Sequence, residues 1–238
     1  DPVDFSGMLV PAAGSAPRPE VDASPMAMRE LAYGMVRVLD DEGRAVGPWE
    51  AGLDADSLRR GLRAMMLTRA FDDRMYRAQR QGKTSFYLKC TGEEAIACAQ
   101  ALVLQTGDMA FPTYRQQGLL IARGYPLATM MNQIYSNAAD PIKGRQLPIM
   151  YSAKDFGFFT ISGNLGTQYP QAVGWAMASA IRGDDKIAIS WIGDGATALT
   201  HIQMIGDDFA FDPGVGVCGK AGQGVPVGIG QPSLKIGG

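Results

Sequence analysis

The sequence predicts an α/β domain, a mostly parallel sheet flanked by helices, and two observations carry that expectation. Residues 186–192, KIAISWI, are apolar with little alternation, as in a parallel strand covered on both faces. Just upstream, FFTISGNLGTQYPQAVGWAMASAIRG supplies a β-prone run, a polar turn and a helix stopped at Gly183. Strand, loop, helix, strand is the unit of open α/β sheets, in which ligands sit beyond the carboxyl ends of the strands. Gly193, Asp194 and Gly195 follow the second strand at that place.

Composition narrows the class. With 238 residues, 46% of them hydrophobic, and a net charge of -2, the chain has enough apolar material for a core and no global pull toward nucleic acid or acidic membranes. No stretch approaches the ~20 apolar residues that span a bilayer, and the first residues lack a basic, apolar, small-residue leader pattern. A cytoplasmic protein is expected. Cys90, Cys98 and Cys218 are odd in number and widely spaced, which points to reduced thiols and to neither a disulfide framework nor a zinc site.

The elements follow in order. Residues 1–28 hold five prolines and no sustained periodicity, so an extended arm is expected. VRVLDDEGRAVGPWE predicts a short strand at Val36, Val38 and Leu39 before a turn over residues 40–43. Asp56 is placed as the cap of a long helix ending near Gly82, with Leu58, Leu62, Met65 and Met66 at helical spacing and the methionines filling core. Thr91 and Glu94 have capping-box spacing, predicting a helix from Gly92 to about Leu104. MAFPTYRQQGLLIARGYP reads as a short strand, a turn at Pro112 and a helix stopped at Gly124, with another starting near Pro126. SNAADPIKGRQLPIMYSAKD is an aperiodic loop, long enough to be functional or disordered. In the helix after it, Ala172, Gly174, Ala176, Ala178 and Ala180 permit close packing.

A carboxylate between two glycines lets backbone and ligand approach closely and suits a hard divalent cation, with Mg²⁺ usually held by one or two protein groups, phosphates and water. Tyr114 and Arg115 precede a predicted helix start, where guanidinium and backbone N–H groups favour phosphate. A diphosphate between these points is chemically reasonable, although an arginine at a helix start also serves as a plain surface cap.

SFYLKCTGEEAIACAQAL, FPTYRQQG, DPIKGRQLPIMYS, FFTISGNLGTQYPQAVGWAMA and WIGDGATA together resemble the alpha subunit of the thiamine diphosphate-dependent branched-chain 2-oxo acid dehydrogenases. The likeness is dense from about Leu31 to Ala198 and extends faintly into the arm through DFS; pyruvate-type relatives share the Gly-Asp-Gly and Tyr-Arg elements. The resemblance implies the thiamine diphosphate-binding fold, truncated at the C-terminus. By it, Tyr114 and Arg115 grip the diphosphate, Gly163 and Leu165 lie near the aminopyrimidine and the cofactor's waist, and Asp194 binds Mg²⁺ beside Gly193, Gly195 and Ala196. It also places a potassium ion at Ser162, Asn164, Thr167 and Gln168. Helix capping is the plainer reading of Asn164 and Thr167.

The implied reaction is oxidative decarboxylation of a branched-chain 2-oxo acid with acyl transfer to a lipoyl group. The implied partners are a beta subunit, which supplies the carboxylic side chain at the aminopyrimidine, and a lipoyl-bearing acyltransferase core. No catalytic residue is assigned to this chain.

The likeness breaks after Ala198. Where the family continues to an Asn-Asn element that supplies a second Mg²⁺ ligand, no asparagine occurs after Asn164, and residues 199–238 contain ten glycines and three prolines. That composition favours coil with no further strand and helix pair. The expected organisation is an arm over 1–28, an incomplete cofactor domain over 29–198 and a divergent Gly-rich tail over 199–238. His201, the one histidine, is not expected to be catalytic. GKAGQG lacks Walker spacing and reads as linker, and the absence of a Gly-x-Gly-x-x-Gly turn disfavours a dinucleotide-binding domain. The alternatives kept open are a pyruvate-type subunit and a non-catalytic remnant that pairs with a partner without holding cofactor.

Overall fold

The long helix forms as α1, Ala55–Arg80, in a computed structural model that describes residues 10–20, 22–32, 34–191, 193 and 217–219. Its cap is Asp54, not Asp56. Asp54 is still extended, and its carboxylate accepts the Ser57 N–H at 2.7 Å. Asp56 already lies inside the first turn and pairs with Arg59 at the surface. A cap residue must precede the helix for its oxygen to reach the free N–H groups.

The apolar spacing in α1 also means something different from core filling. Leu58, Leu62 and Met66 are 56%, 57% and 64% exposed, whereas Thr68, Phe71, Asp72, Met75 and Ala78 form the buried face. The first half of the helix thus carries an outward apolar stripe, and only its second half runs along the core. That core is made by α1, α2 (Glu94–Val103), α3 (Gln117–Ala122) and α4 (Leu127–Ile134), with Met75, Leu119, Leu120, Met130 and Ile134 fully buried. Gly118 sets the spacing of the first three helices. A Cβ there would lie 3.1 Å from the Ala97 side chain and 3.4 Å from that of Thr68.

The sheet has the order β1-β2-β3, with β1 at Met109–Phe111, β2 at Ala188–Ser190 and β3 at Val217–Gly219. β1 and β2 are parallel, in the register Met109↔Ala188 to Phe111↔Ser190. β3 runs antiparallel to β2, so three residues of the stretch expected to be coil belong to a strand. The rest of 199–238 lies outside the described residues.

On the free side of β1, the Ala110 N–H donates to the Gly157 carbonyl at 2.7 Å and the Phe159 N–H to the Ala110 carbonyl at 2.8 Å, a parallel bridge. The β-prone FFTIS run does not extend into a full strand. Both backbone groups of Phe158 are taken by Ala153, which turns the chain away. α5, Gln168–Arg182, covers the sheet through Ala172, Trp175 and Ala176 and ends at Gly183, whose left-handed φ of 70° closes the helix. Of its small residues, Gly174, Ala178 and Ala180 face outward rather than into close packing.

The arm and the long loop are more ordered than their composition predicts. Gly14 N–H donates to the Arg37 carbonyl at 2.8 Å and Trp49 Nε1 to the Ala16 carbonyl at 2.9 Å, laying the arm along residues 36–49. That segment is a hairpin reduced to one bridge, Leu39↔Ala45, and Pro25–Ala32 is a 3-10 helix. In the loop after α4, the Asp140 carboxylate accepts the N–H groups of Ile142 and Gly144 at 2.9 and 2.7 Å. Ile149, Met150 and Tyr151 then enter the core. The loop is aperiodic because its backbone is satisfied by side chains, not because it lacks structure.

Candidate functional site

Three chain segments leave the sheet at one end. β1 leads into residues 112–115, β2 into Trp191 and Gly193, and the segment bridged to β1 at Phe158 leads into residues 162–168. Because neighbours are parallel, their carboxyl ends lie side by side, and the Ser190 hydroxyl donates to the Phe111 carbonyl at 3.3 Å at that edge. Tyr114, Arg115 and Gly193 therefore follow the carboxyl ends of two paired strands, and Ser162, Gly163, Asn164, Leu165, Thr167 and Gln168 follow the segment bridged to β1 at Phe158. Asp194, Gly195, Ala196 and His201 lie outside the described residues.

The turn carrying Tyr114 and Arg115 is held by side chains. Gln116 Oε1 accepts the Thr113 N–H at 2.8 Å and the Thr113 hydroxyl, while Gln116 Nε2 donates to Glu93 at 3.2 Å. Arg115 Nη1 donates to the Lys89 carbonyl at 2.5 Å, and its guanidinium carbon stands 5.6 Å from the Tyr114 ring centroid. Gln117 is buried and donates to the Leu88 carbonyl at 3.0 Å and to Asp72 at 2.9 Å. This leaves Arg115 oriented yet half-exposed, able to meet an anion with its remaining N–H groups.

The capping box is only half built. The N-cap of α2 is Glu93, without a side-chain cap bond, and Glu94 reaches back to the Gly92 N–H at 2.8 Å while accepting from Arg69 at 2.6 Å. The two neighbouring carboxyls are tuned oppositely. The Arg69 hydrogen bond holds Glu94 below the ordinary carboxylate range, and burial holds Glu93 above it despite the nearby Arg115 charge. Cys90 and Cys98 are buried free thiols, and burial raises both.

Residues 162–168 are different in kind. Ser162 Oγ accepts the Asn164 N–H at 3.2 Å, and Gln168 Nε2 donates to the Ser162 carbonyl at 3.2 Å. Gln168 is buried, and among the described residues its Oε1 has no partner. Thr167 is the N-cap of α5, but its hydroxyl makes no capping bond, so the capping explanation does not account for it. Leu165 projects outward, 65% exposed.

Sequence reasoning missed Asp72, Glu93, Gln116 and Gln117. For the glutamines a signal was available: two adjacent glutamines follow Tyr-Arg, too polar for the buried start of a helix without assigned partners. Among the described residues no group of three or more His, Cys, Asp or Glu is placed to hold a metal, and no helix is long and apolar enough to cross a membrane.

The family described as Dehydrogenase E1 component matches residues 62–203, and the chain belongs to it. A second family, described as 2-oxoisovalerate dehydrogenase E1 alpha subunit N terminal, matches residues 1–26. The chain is 63% identical over 195 residues to 2-oxoisovalerate dehydrogenase subunit alpha of Pseudomonas aeruginosa, covering 82% of this chain and 48% of that one. It is 40% identical over 163 residues to the mitochondrial 2-oxoisovalerate dehydrogenase subunit alpha of Mus musculus, covering 68% and 37%. Similarity to the mitochondrial subunit alpha 2 of Arabidopsis thaliana is 38% over 163 residues, covering 68% and 34%. The chain thus spans about half the length or less of these relatives.

Proposed function

We propose that the chain is the alpha part of a thiamine diphosphate-dependent 2-oxo acid dehydrogenase that decarboxylates branched-chain 2-oxo acids and delivers the acyl group to a lipoyl arm. The observation that carries this reading is that the Tyr-Arg turn and Gly193 follow the carboxyl ends of paired parallel strands, with the 162–168 loop following a third segment bridged in parallel to β1. The names of the relatives favour the branched-chain substrate. Bound thiamine diphosphate supplies the electron sink for decarboxylation.

In this reading Tyr114 and Arg115 hold the diphosphate, Asp194 holds Mg²⁺ beside Gly193, Gly195 and Ala196, and Gly163 and Leu165 line the aminopyrimidine and the waist. The half-exposed guanidinium beside a fixed turn fits an anion. Ser162, Asn164, Thr167 and Gln168 form the potassium site. Its support is an unpartnered Gln168 oxygen and a Thr167 hydroxyl unused for capping, in a loop rich in neutral oxygens. The chain's own work is to bind and orient; the proton-transferring carboxyl comes from a beta subunit, paired as a heterotetramer in the cytoplasm and docked on an acyltransferase core. The outward apolar residues of α1, with Met177 and Ile181 of α5, are surfaces a partner would cover. Residues 1–28 serve as arm, 29–198 as cofactor domain and 199–238 as a divergent tail.

The test is CO₂ release by the full-length subunit carrying this sequence, assembled with its beta partner, from 3-methyl-2-oxobutanoate against pyruvate. Turnover of the branched substrate that requires thiamine diphosphate and Mg²⁺ is expected. Preference for pyruvate, or no cofactor dependence, contradicts the reading.

A further inference from the structure

Asp72 is completely buried on the inner face of α1, and no direct ion pair to it occurs among the described residues. Its charge is met by three neutral donors. Oδ1 accepts the Tyr87 hydroxyl at 2.6 Å and Gln117 Nε2 at 2.9 Å, and Oδ2 accepts the Cys90 N–H at 2.7 Å. A buried carboxylate without a direct ion pair is costly to keep, so what it organises is informative. Its donors belong to two places only: the strap of residues 87–90 and the first turn of α3.

That strap bears on the candidate site. Its Leu88 carbonyl accepts from Gln117, and its Lys89 carbonyl accepts from Arg115 Nη1. Lys89 Nζ also binds Asp73 at 2.5 Å, so adjacent acids of α1 fasten the strap from inside and outside. One buried anion therefore fixes both the carbonyl that holds the Arg115 guanidinium and the helix that begins just after Arg115.

We propose that Asp72 is a positioning residue for Arg115, acting through the 87–90 strap to aim the guanidinium at the anion site beyond β1. The inference rests on the diphosphate reading only for the identity of the anion. Removing the carboxylate charge frees the strap, the Lys89 carbonyl drifts, and Arg115 loses its fixed direction while remaining present.

The test uses the full-length subunit with its beta partner and two readouts. First, thiamine diphosphate affinity in the presence of Mg²⁺ is measured for Asp72→Asn, Arg115→Ala and the double variant. Asp72→Asn weakens binding about tenfold or more, as expected when a charged hydrogen bond is misplaced. In the Arg115→Ala background it adds no further loss. Additive losses would show a general structural role and overturn the proposal. Second, the labelling rate of Arg115 by phenylglyoxal, with Arg44 on the hairpin as reference, is followed without cofactor. Labelling of Arg115 rises severalfold in Asp72→Asn, and an unchanged rate overturns the proposal. If Arg115→Ala leaves affinity untouched, the diphosphate reading fails and the labelling arm still decides this one. Should Asp72→Asn not fold, Tyr87→Phe removes one donor from the same carboxylate, and absence of any rise in Arg115 labelling there is equally contradictory.

Discussion

The turn at residues 113–117 and the loop at residues 162–168 follow neighbouring parallel segments and are held differently. In the turn, Gln116, Gln117 and Arg115 bond Glu93, Asp72 and the carbonyls of Leu88 and Lys89, and the buried Gln117 Oε1 is left without a partner among the described residues. In the loop, the Gln168 oxygen is unspent, Thr167 caps without its hydroxyl, and Leu165 points outward. The contrast teaches that the direction of Arg115 is set by bonds to distant segments, whereas the loop is held mainly by bonds within itself. Preorganisation of the first kind is favoured where a flexible arginine would otherwise lose entropy on binding.

The largest effect is expected where the two regions share a support. Phe158 is fully buried and forms the bridge that joins β1 to the segment leading into the loop. Phe158→Ala should lower stability by about 3–5 kcal/mol and disturb both regions together, as read by urea unfolding. A much smaller loss would mean that the two regions do not share this support.

A sharper separation comes from Gln168→Leu. It removes the bond to the Ser162 carbonyl and the unpaired oxygen at once, so without potassium it should cost no more than about 1 kcal/mol. The melting-temperature gain given by KCl over choline chloride should then vanish in Gln168→Leu and persist in Arg115→Ala. Equal gains in wild type and Gln168→Leu would show that the loop does not hold the ion.

The smallest effect lies in pH. Glu94 is held below its ordinary value of 4.5, so its contribution to stability is present above that pH and lost as pH falls through the lowered folded value. Glu93 is held above 4.5, so its contribution is present below that pH and lost as pH rises through the raised folded value. Glu94→Gln should therefore flatten the acid side of the stability profile, and Glu93→Gln should remove a decline just above it. Urea midpoints across the acidic range check both signs, and identical profiles for the two variants would contradict the opposite tuning.

How much of this was legible depended on periodicity. The long α1, the stop at Gly183, the helix after Pro126 and the parallel β2 were readable because each combines an apolar period with a terminator of known chemistry. The cap at Asp54 was misplaced by two positions, since both aspartates satisfy the same local pattern and only backbone geometry separates them. The outward stripe of α1 was taken for core because spacing reveals a shared face without revealing what covers it. At the candidate site, Tyr114 and Arg115 were singled out through a short motif, and the structure places them in the turn after β1. Asp72 was not singled out, because its partners lie 15, 18 and 45 residues away in sequence. The loop after α4 read as aperiodic, functional or disordered, because its order comes from single aspartate and glutamine side chains rather than from a repeat.

The central claim is that Arg115, in the turn after β1, holds a diphosphate. Calorimetric titration of the beta-paired full-length subunit with thiamine diphosphate and Mg²⁺, wild type against Arg115→Ala, tests it most directly. The account predicts a loss of roughly 1.5–3 kcal/mol in binding free energy for Arg115→Ala, with the urea midpoint little changed. Unchanged affinity in a folded Arg115→Ala subunit would contradict it.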